Sequence, residues 1–170
     1  LSFSGNSLID HFNSHLIQDV STFNKWTDAL TAPFAEEFFK ALVAFWILLI
    51  LGRKDLKSVL IAGFGSGLGF QIIEDLGYVA RQTRSGDLSA VTEAVNRISG
   101  GLASHAVYTA VVSVGAFLIL SQCTKQKEKL FGLWCVVSTV ANHFLWNSPL
   151  HETDHRDNIL VGLLFAFQVG

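Results

Sequence analysis

Apolar and polar positions along this chain come in long blocks rather than alternating residue by residue. Four blocks, at about 32–51, 59–80, 102–121 and 130–148, are apolar for most of their length. About 20 helical residues cross the roughly 30 Å hydrocarbon core of a bilayer, so the blocks predict four membrane-crossing helices in an all-α, polytopic transmembrane bundle. A fifth run, Ile159 to Gly170, is apolar but short. It predicts either a partial crossing or a helix cut off by the end of the sequence. Pro33 is expected in the first turn of the first helix, where its missing N–H has no helical partner. Between the second and third blocks, SGDLSAVTEAVNRI sets Leu88, Val91, Val95 and Ile98 on one face behind a capping Ser or Asp, the pattern of a short helix lying in the interface.

Composition strengthens the membrane reading. Half of the 170 residues are hydrophobic (50%) and only 15% are charged, with a mean hydropathy of +0.41, above that of an ordinary soluble domain. The 14 Phe and 14 Gly suit lipid-facing surfaces and close helix contacts. The net charge of -2, with no basic stripe, excludes nucleic acid as a partner. Cys123 and Cys135 form neither a disulfide framework nor a CxxC pair. The chain begins at Leu1 and its opening is too polar for a signal peptide, so an N-terminal part is expected to be missing.

Loop charge supplies an orientation. GRKDLKS and QCTKQKEK carry Arg53, Lys54, Lys57, Lys125, Lys127 and Lys129, whereas PLHETDHRD is mostly acidic and bears histidines. The positive-inside rule puts the first two loops in the cytoplasm, and helix alternation then places the segment 81–101 outside. Residues 1–31, with Leu8, Ile9, Phe12, Leu16 and Ile17, are read as a partly interfacial extracytoplasmic segment. Residues 32–170 are read as a transmembrane core of about five helices.

The ionisable residues inside the apolar blocks carry the chemistry, because each is costly in a membrane and requires a partner or a purpose. Glu36, Glu37 and Lys40 lie in the first block, Glu74 and Asp75 in the second, His105 in the third, and His143 with Asn147 in the fourth. All fall within about two helical turns of the outer boundary, so four helices of alternating direction present polar groups at one level. Snorkelling side chains would favour both membrane faces and would mostly be Lys or Arg; a convergent site explains the pattern better. Glu36 and Lys40, Glu74 and Tyr78, His105 and Thr109, and His143 and Asn147 are i, i+4 pairs, each stacked on one helix face. Glu37 with Lys40 also fits a structural ion pair, and Tyr78, Thr109 and Asn147 also fit interhelical hydrogen bonding. Gly63, Gly65, Gly67 and Gly69 read as a stripe for close helix packing.

Two histidines and several carboxylates suit hydrolysis: a carboxylate takes a proton from water, and imidazoles bind a metal or steady an oxyanion. A proton-coupled transporter or a non-enzymatic membrane scaffold is the rival reading. A proton path needs ionisable groups along the whole span, and ALVAFWILLIL and VVSVGAFLIL contain none. A bis-histidine haem site leaves the carboxylates unexplained. His151, Glu152 and His155 satisfy the HExxH pattern of zinc proteases, but they follow Pro149 in a polar stretch that is not an expected helix. His11 and His15 lie in a polar stretch and are expected to be exposed.

These motifs resemble the PrsW family of intramembrane proteases, which is related to the CAAX prenyl protease and bacteriocin-immunity group. APFAEEFFK at Ala32 to Lys40 is similar to its EExxK motif, and GSGLGFQIIEDLGYV to its glycine-rich segment leading to a glutamate and tyrosine. SHAVYTA around His105 and HFLWN from His143 to Asn147 are similar to its third and fourth motifs. The resemblance implies cleavage of single-pass, membrane-anchored substrates such as an anti-sigma factor, on the extracytoplasmic side of a bacterial plasma membrane, with membrane lipid as the surroundings. It implies Glu36 or Glu37 as general base, His105 and His143 as holders of a metal or of the activated water, and Asn147 at the oxyanion; the shared depth of the ionisable residues adds Glu74 as a third candidate metal ligand or water-positioning group and Lys40 in support. The metal is zinc or another divalent ion in one reading; in the other the enzyme is glutamate-dependent and metal-free. Asp75 stands where many relatives have Asn, an extra carboxylate of no assigned role.

Overall fold

The computed structural model describes residues 20–84, 95 and 104–149. Over these the chain is helical, with four long helices: α1 Val20–Ile50, α2 Leu56–Arg84, α3 Ser104–Leu120 and α4 Gln126–Asn147. The short helix expected at 88–98 lies outside the described residues except for Val95. So do the run 159–170, the HETDH stretch, and His11 and His15.

Local chemistry explains where the helices stop and start. α1 ends at Gly52, whose φ of 64° is unstrained only for a residue without Cβ. Its N–H and that of Arg53 fold back onto the Leu49 and Leu48 carbonyls at 3.2 and 3.0 Å, closing the helix as a Schellman turn. Asp55 caps α2, accepting from the Ser58 N–H at 2.9 Å and the Ser58 hydroxyl at 2.7 Å. These two hydrogen bonds hold its carboxyl below the usual range, so the cap contributes above that range and is lost as pH falls through it. Glu128 reaches back to the Lys125 N–H at 2.7 Å and closes the first turn of α4.

One expectation is corrected. α1 begins at Val20, not near 32, so Pro33 stands inside the helix rather than in its first turn. The proline ring removes the backbone bond that would have reached the Ala29 carbonyl. Burial compensates: Ala29, Ala32 and Ala35 are buried around it, and the Thr31 hydroxyl donates to the Thr27 carbonyl at 2.9 Å. The weakened turn lies immediately before Glu36.

The helices form a four-membered ring in chain order, each packed on its sequence neighbours, with α4 closing on α1 and α3 also touching α1 across the middle. Small residues permit this. A Cβ on Gly67 would overlap the His105 carbonyl oxygen, and one on Gly63 would stand 2.9 Å from the Thr109 carbonyl oxygen. Gly115 and Gly132 bring α3 and α4 together in the same way, each lacking a Cβ that would fall 2.6 Å from the other's carbonyl oxygen. The four-glycine stripe is therefore half right. Gly65 and Gly69 face open space, because residues two apart on a helix lie on opposite sides.

Polarity is inverted relative to a protein in water. Glu36, Glu37, Lys40, Thr109, Ser113, Thr139, Asn142 and His143 are buried, while Phe34, Phe38, Trp46, Leu49, Ile50, Ile73 and Leu76 are exposed. An apolar exterior of this extent is costly in water and is expected where the surroundings are hydrocarbon. Among the described residues one helix, Leu56–Arg81, is by length and composition apolar enough to cross a membrane, and Ser104–Leu120 is a shorter apolar helix. α1 has Glu36, Glu37 and Lys40 at its middle, and α4 opens on Lys127, Glu128 and Lys129.

Gly67→Ala should force α2 off α3 beside His105, destabilising the protein by about 1–3 kcal/mol, as overpacking does. Gly65→Ala, into open space, should be neutral or stabilising. Thermal unfolding of the two variants in detergent checks the contrast.

Candidate active site

Lys40 is the centre of the buried polar cluster. Its position on α1, three and four residues after Glu37 and Glu36, sets all three side chains on one helix face. Its Nζ is 2.6 Å from Glu37 Oε1, 3.5 Å from Glu36 Oε2 and 3.0 Å from His105 Nδ1. The Phe70 ring lies 4.5 Å from the ammonium, close enough for a cation–π contact. The Ser66 hydroxyl donates to the Lys40 carbonyl at 2.7 Å and ties α1 to α2 at this level.

The two carboxylates of the doublet have different surroundings. Glu37, 1% exposed, is held on both oxygens: Oε2 accepts from the Thr109 hydroxyl at 3.0 Å, and Oε1 faces Lys40 and, at 3.2 Å, His143 Nδ1. Glu36 meets Lys40 and His143 Nε2, at 3.5 and 4.0 Å, through Oε2 alone among the described residues. Glu37 is thus the more heavily contacted carboxylate of the two.

Histidines from α3 and α4 complete the cluster. The His105 and His143 rings meet edge to face with centroids 5.3 Å apart, and Tyr108 stacks on His143 at 5.4 Å. Glu74 Oε2 lies 3.1 Å from His105 Nε2 and fixes that ring from α2. Glu36, His105 and His143 each offer one ligand atom within 4.8 Å of the others. The structure thus groups Glu36 with the two histidines, whereas the motif reading had grouped Glu74 with them. Glu74 instead stands behind His105. Asn147 is the last residue of α4 and half-buried; no hydrogen bond or ion pair joins it to the cluster among the described residues. Asp75 is half-buried on α2.

Phe70 and Tyr108 are site residues that the sequence reading passed over. The signal was present, since Phe70 is four residues before Glu74 and Tyr108 three after His105, spacings that share a helix face. Aromatic residues at such spacing are more often lipid-facing or core, and 14 Phe in the chain hide the one that matters.

Four helices therefore bring three carboxylates, two imidazoles and one ammonium into mutual contact inside an apolar exterior. The model of the PrsW family intramembrane metalloprotease matches residues 3–169. The chain belongs to this PrsW family. It is accordingly a membrane-embedded protease, and the buried cluster lies on the residues that carry the family resemblance. Comparison with curated proteins and with solved structures finds no match.

The family implies a metal, and the donor set fits one. Two imidazoles and a carboxylate with room for water suit a catalytic zinc. His143 turns Nε2 toward Glu36 Oε2 at 4.0 Å and Nδ1 toward Glu37 Oε1 at 3.2 Å, so a carboxylate stands behind this imidazole as well. Glu74 behind His105 is the carboxylate–histidine arrangement that orients metal-binding imidazoles. Glu74→Ala in this PrsW-family protein should lower kcat/KM about 10–100-fold, the usual cost of losing such support. Glu74→Gln, which keeps an acceptor for His105, should retain most of the activity in a peptidase assay on the purified protein.

Proposed function

We propose that the protein is a multi-pass intramembrane endopeptidase that hydrolyses a peptide bond of a single-pass, membrane-anchored protein, using water activated at Glu36. The observation that carries this reading is the grouping of Glu36 with His105 and His143, where Glu36 makes its contacts through Oε2 alone among the described residues, while Glu37 meets Thr109, Lys40 and His143. A carboxylate so placed can take the proton that water loses on attacking a carbonyl. Glu37, bound to Thr109 and Lys40, keeps the α1 face in register with α3. Tyr108 and Glu74 fix the planes of His143 and His105, which would hold the water and meet the developing oxyanion. Asn147, one turn beyond His143, is proposed as a further oxyanion donor once substrate is present.

A divalent ion would be held by Glu36, His105 and His143, with Glu74 in support, and would supply Lewis acidity and a water of lowered pKa. The exposed apolar side chains of α1 and α2 support burial of all four helices in lipid. The loop charges support a site toward the extracytoplasmic side of a bacterial plasma membrane. A substrate such as an anti-sigma factor follows from the family resemblance.

Glu36→Gln should reduce peptide cleavage by about 10²–10⁴-fold, the range for loss of a general base, with little change in unfolding temperature. Glu37→Gln should cost stability as well, because it unsettles Lys40 and Thr109. Cleavage of a single-pass reporter by the folded variants tests this, and full activity in both would overturn the assignment.

A further inference from the structure

Lys40 presents its ammonium to two of the groups that a metal ion would need. Nζ is 3.0 Å from His105 Nδ1 and 3.5 Å from Glu36 Oε2, and the residue is 3% exposed. An ammonium has protons and no lone pair, so it can only donate. His105 Nδ1 therefore accepts, which leaves the ring proton on Nε2, where it is donated to Glu74 Oε2 at 3.1 Å. Both ring nitrogens are committed. A metal takes a nitrogen lone pair from neutral imidazole, and the one lone pair that His105 has to offer is directed at Lys40.

We propose that Lys40 is a built-in counter-cation of the site: its ammonium and a divalent ion occupy the corner between Glu36 and His105 by turns, never together. The inference rests on the metal reading of Glu36, His105 and His143 given above, and adds the residue that opposes loading. Two cations a few ångströms apart in a low-dielectric interior repel strongly, so an arriving ion must drive Nζ off His105 and Glu36. Lys40 has a place to withdraw to. Its shortest contact is Glu37 Oε1 at 2.6 Å, an anion outside the ligand triplet, and its flexible four-carbon stem lets the head move without moving the helix.

The arrangement also accounts for how the site's carboxylates are balanced. Glu36, Glu37 and Glu74 converge here, and uncompensated carboxylates would be costly to hold in an apolar interior. Lys40 balances them until an ion arrives. Because Nε2 of His105 stays with Glu74 throughout, the ion must be ligated by Nδ1.

The test uses the full chain in detergent micelles and Co²⁺, whose visible spectrum reports its ligands, with affinity read by competition against a chelator. Lys40→Met, which keeps the length and removes the charge, should bind Co²⁺ about tenfold tighter or more, within the range of couplings between linked sites. Lys40→Gln should do the same, and serves if Lys40→Met does not fold. Independently of any variant, ¹⁵N-histidine NMR of the unaltered protein with added Zn²⁺ should show His105 ligated through Nδ1 with Nε2 still protonated. Equal or weaker Co²⁺ binding by the folded variants, or Zn²⁺ on Nε2 of His105, would overturn the proposal while leaving the metal reading intact. Failure of all three proteins to bind Co²⁺ would overturn both.

Discussion

A lysine ammonium inside an apolar bundle must be met by anions, and the contact between Lys40 and Glu37 is the one on which this structure depends. The two are 3% and 1% exposed and 2.6 Å apart. Removing one partner of a buried pair costs about 3–5 kcal/mol, because the other is left uncompensated. From this pair the contacts radiate outward. Thr109 and His143 attach α3 and α4 to Glu37, and Phe70 and His105 attach α2 and α3 to Lys40. All four helices are thereby held at one level by about one turn of α1, Glu36 to Lys40, and its partners.

The packing surfaces are arranged to let the polar level form. Gly67 lets α2 lie directly against the His105 backbone, so that Glu74, two turns further along α2, can reach the His105 ring. Gly115 and Gly132 draw α3 and α4 together below the cluster, and Pro33 thins the backbone bonding just before Glu36. Without a strong hydrophobic drive between helices in lipid, close contact of small residues and interhelical hydrogen bonds are what association relies on. The same features that assemble the bundle aim its reactive groups.

The proposed function rests on an asymmetry within the glutamate doublet. Adjacent carboxylates on a helix differ by about 100° in direction. Here that difference sends Glu37 among Thr109, Lys40 and His143 and leaves Glu36 beside both histidines, with contacts through one oxygen among the described residues. A protease active in hydrocarbon needs water held where it is scarce, and a cluster with a carboxylate beside two imidazoles meets that need. The ammonium that secures the first carboxylate also stands beside the second. Structural anchoring and the proposed opposition to an ion thus reside in one side chain.

The sequence by itself determined the helices and the membership of the cluster. Runs of about 20 apolar residues have few other solutions, and an ionisable residue inside one must find company, so Glu36, Glu37, Lys40, Glu74, His105 and His143 were legible as a set. Their spacing at three and four residues also showed which shared a face. The start of α1 was not legible, because Pro33 and the polar residues before it resemble a helix beginning, and only burial against neighbouring helices sustains the helix through them. Nor was the grouping of roles. Spacing along one helix says nothing about distances between helices. Only the tertiary structure could decide that Glu36 lies within reach of both histidines while Glu74 meets His105 alone, that Gly63 and Gly67 rather than all four glycines touch α3, and that Lys40 lies against both Glu36 and His105.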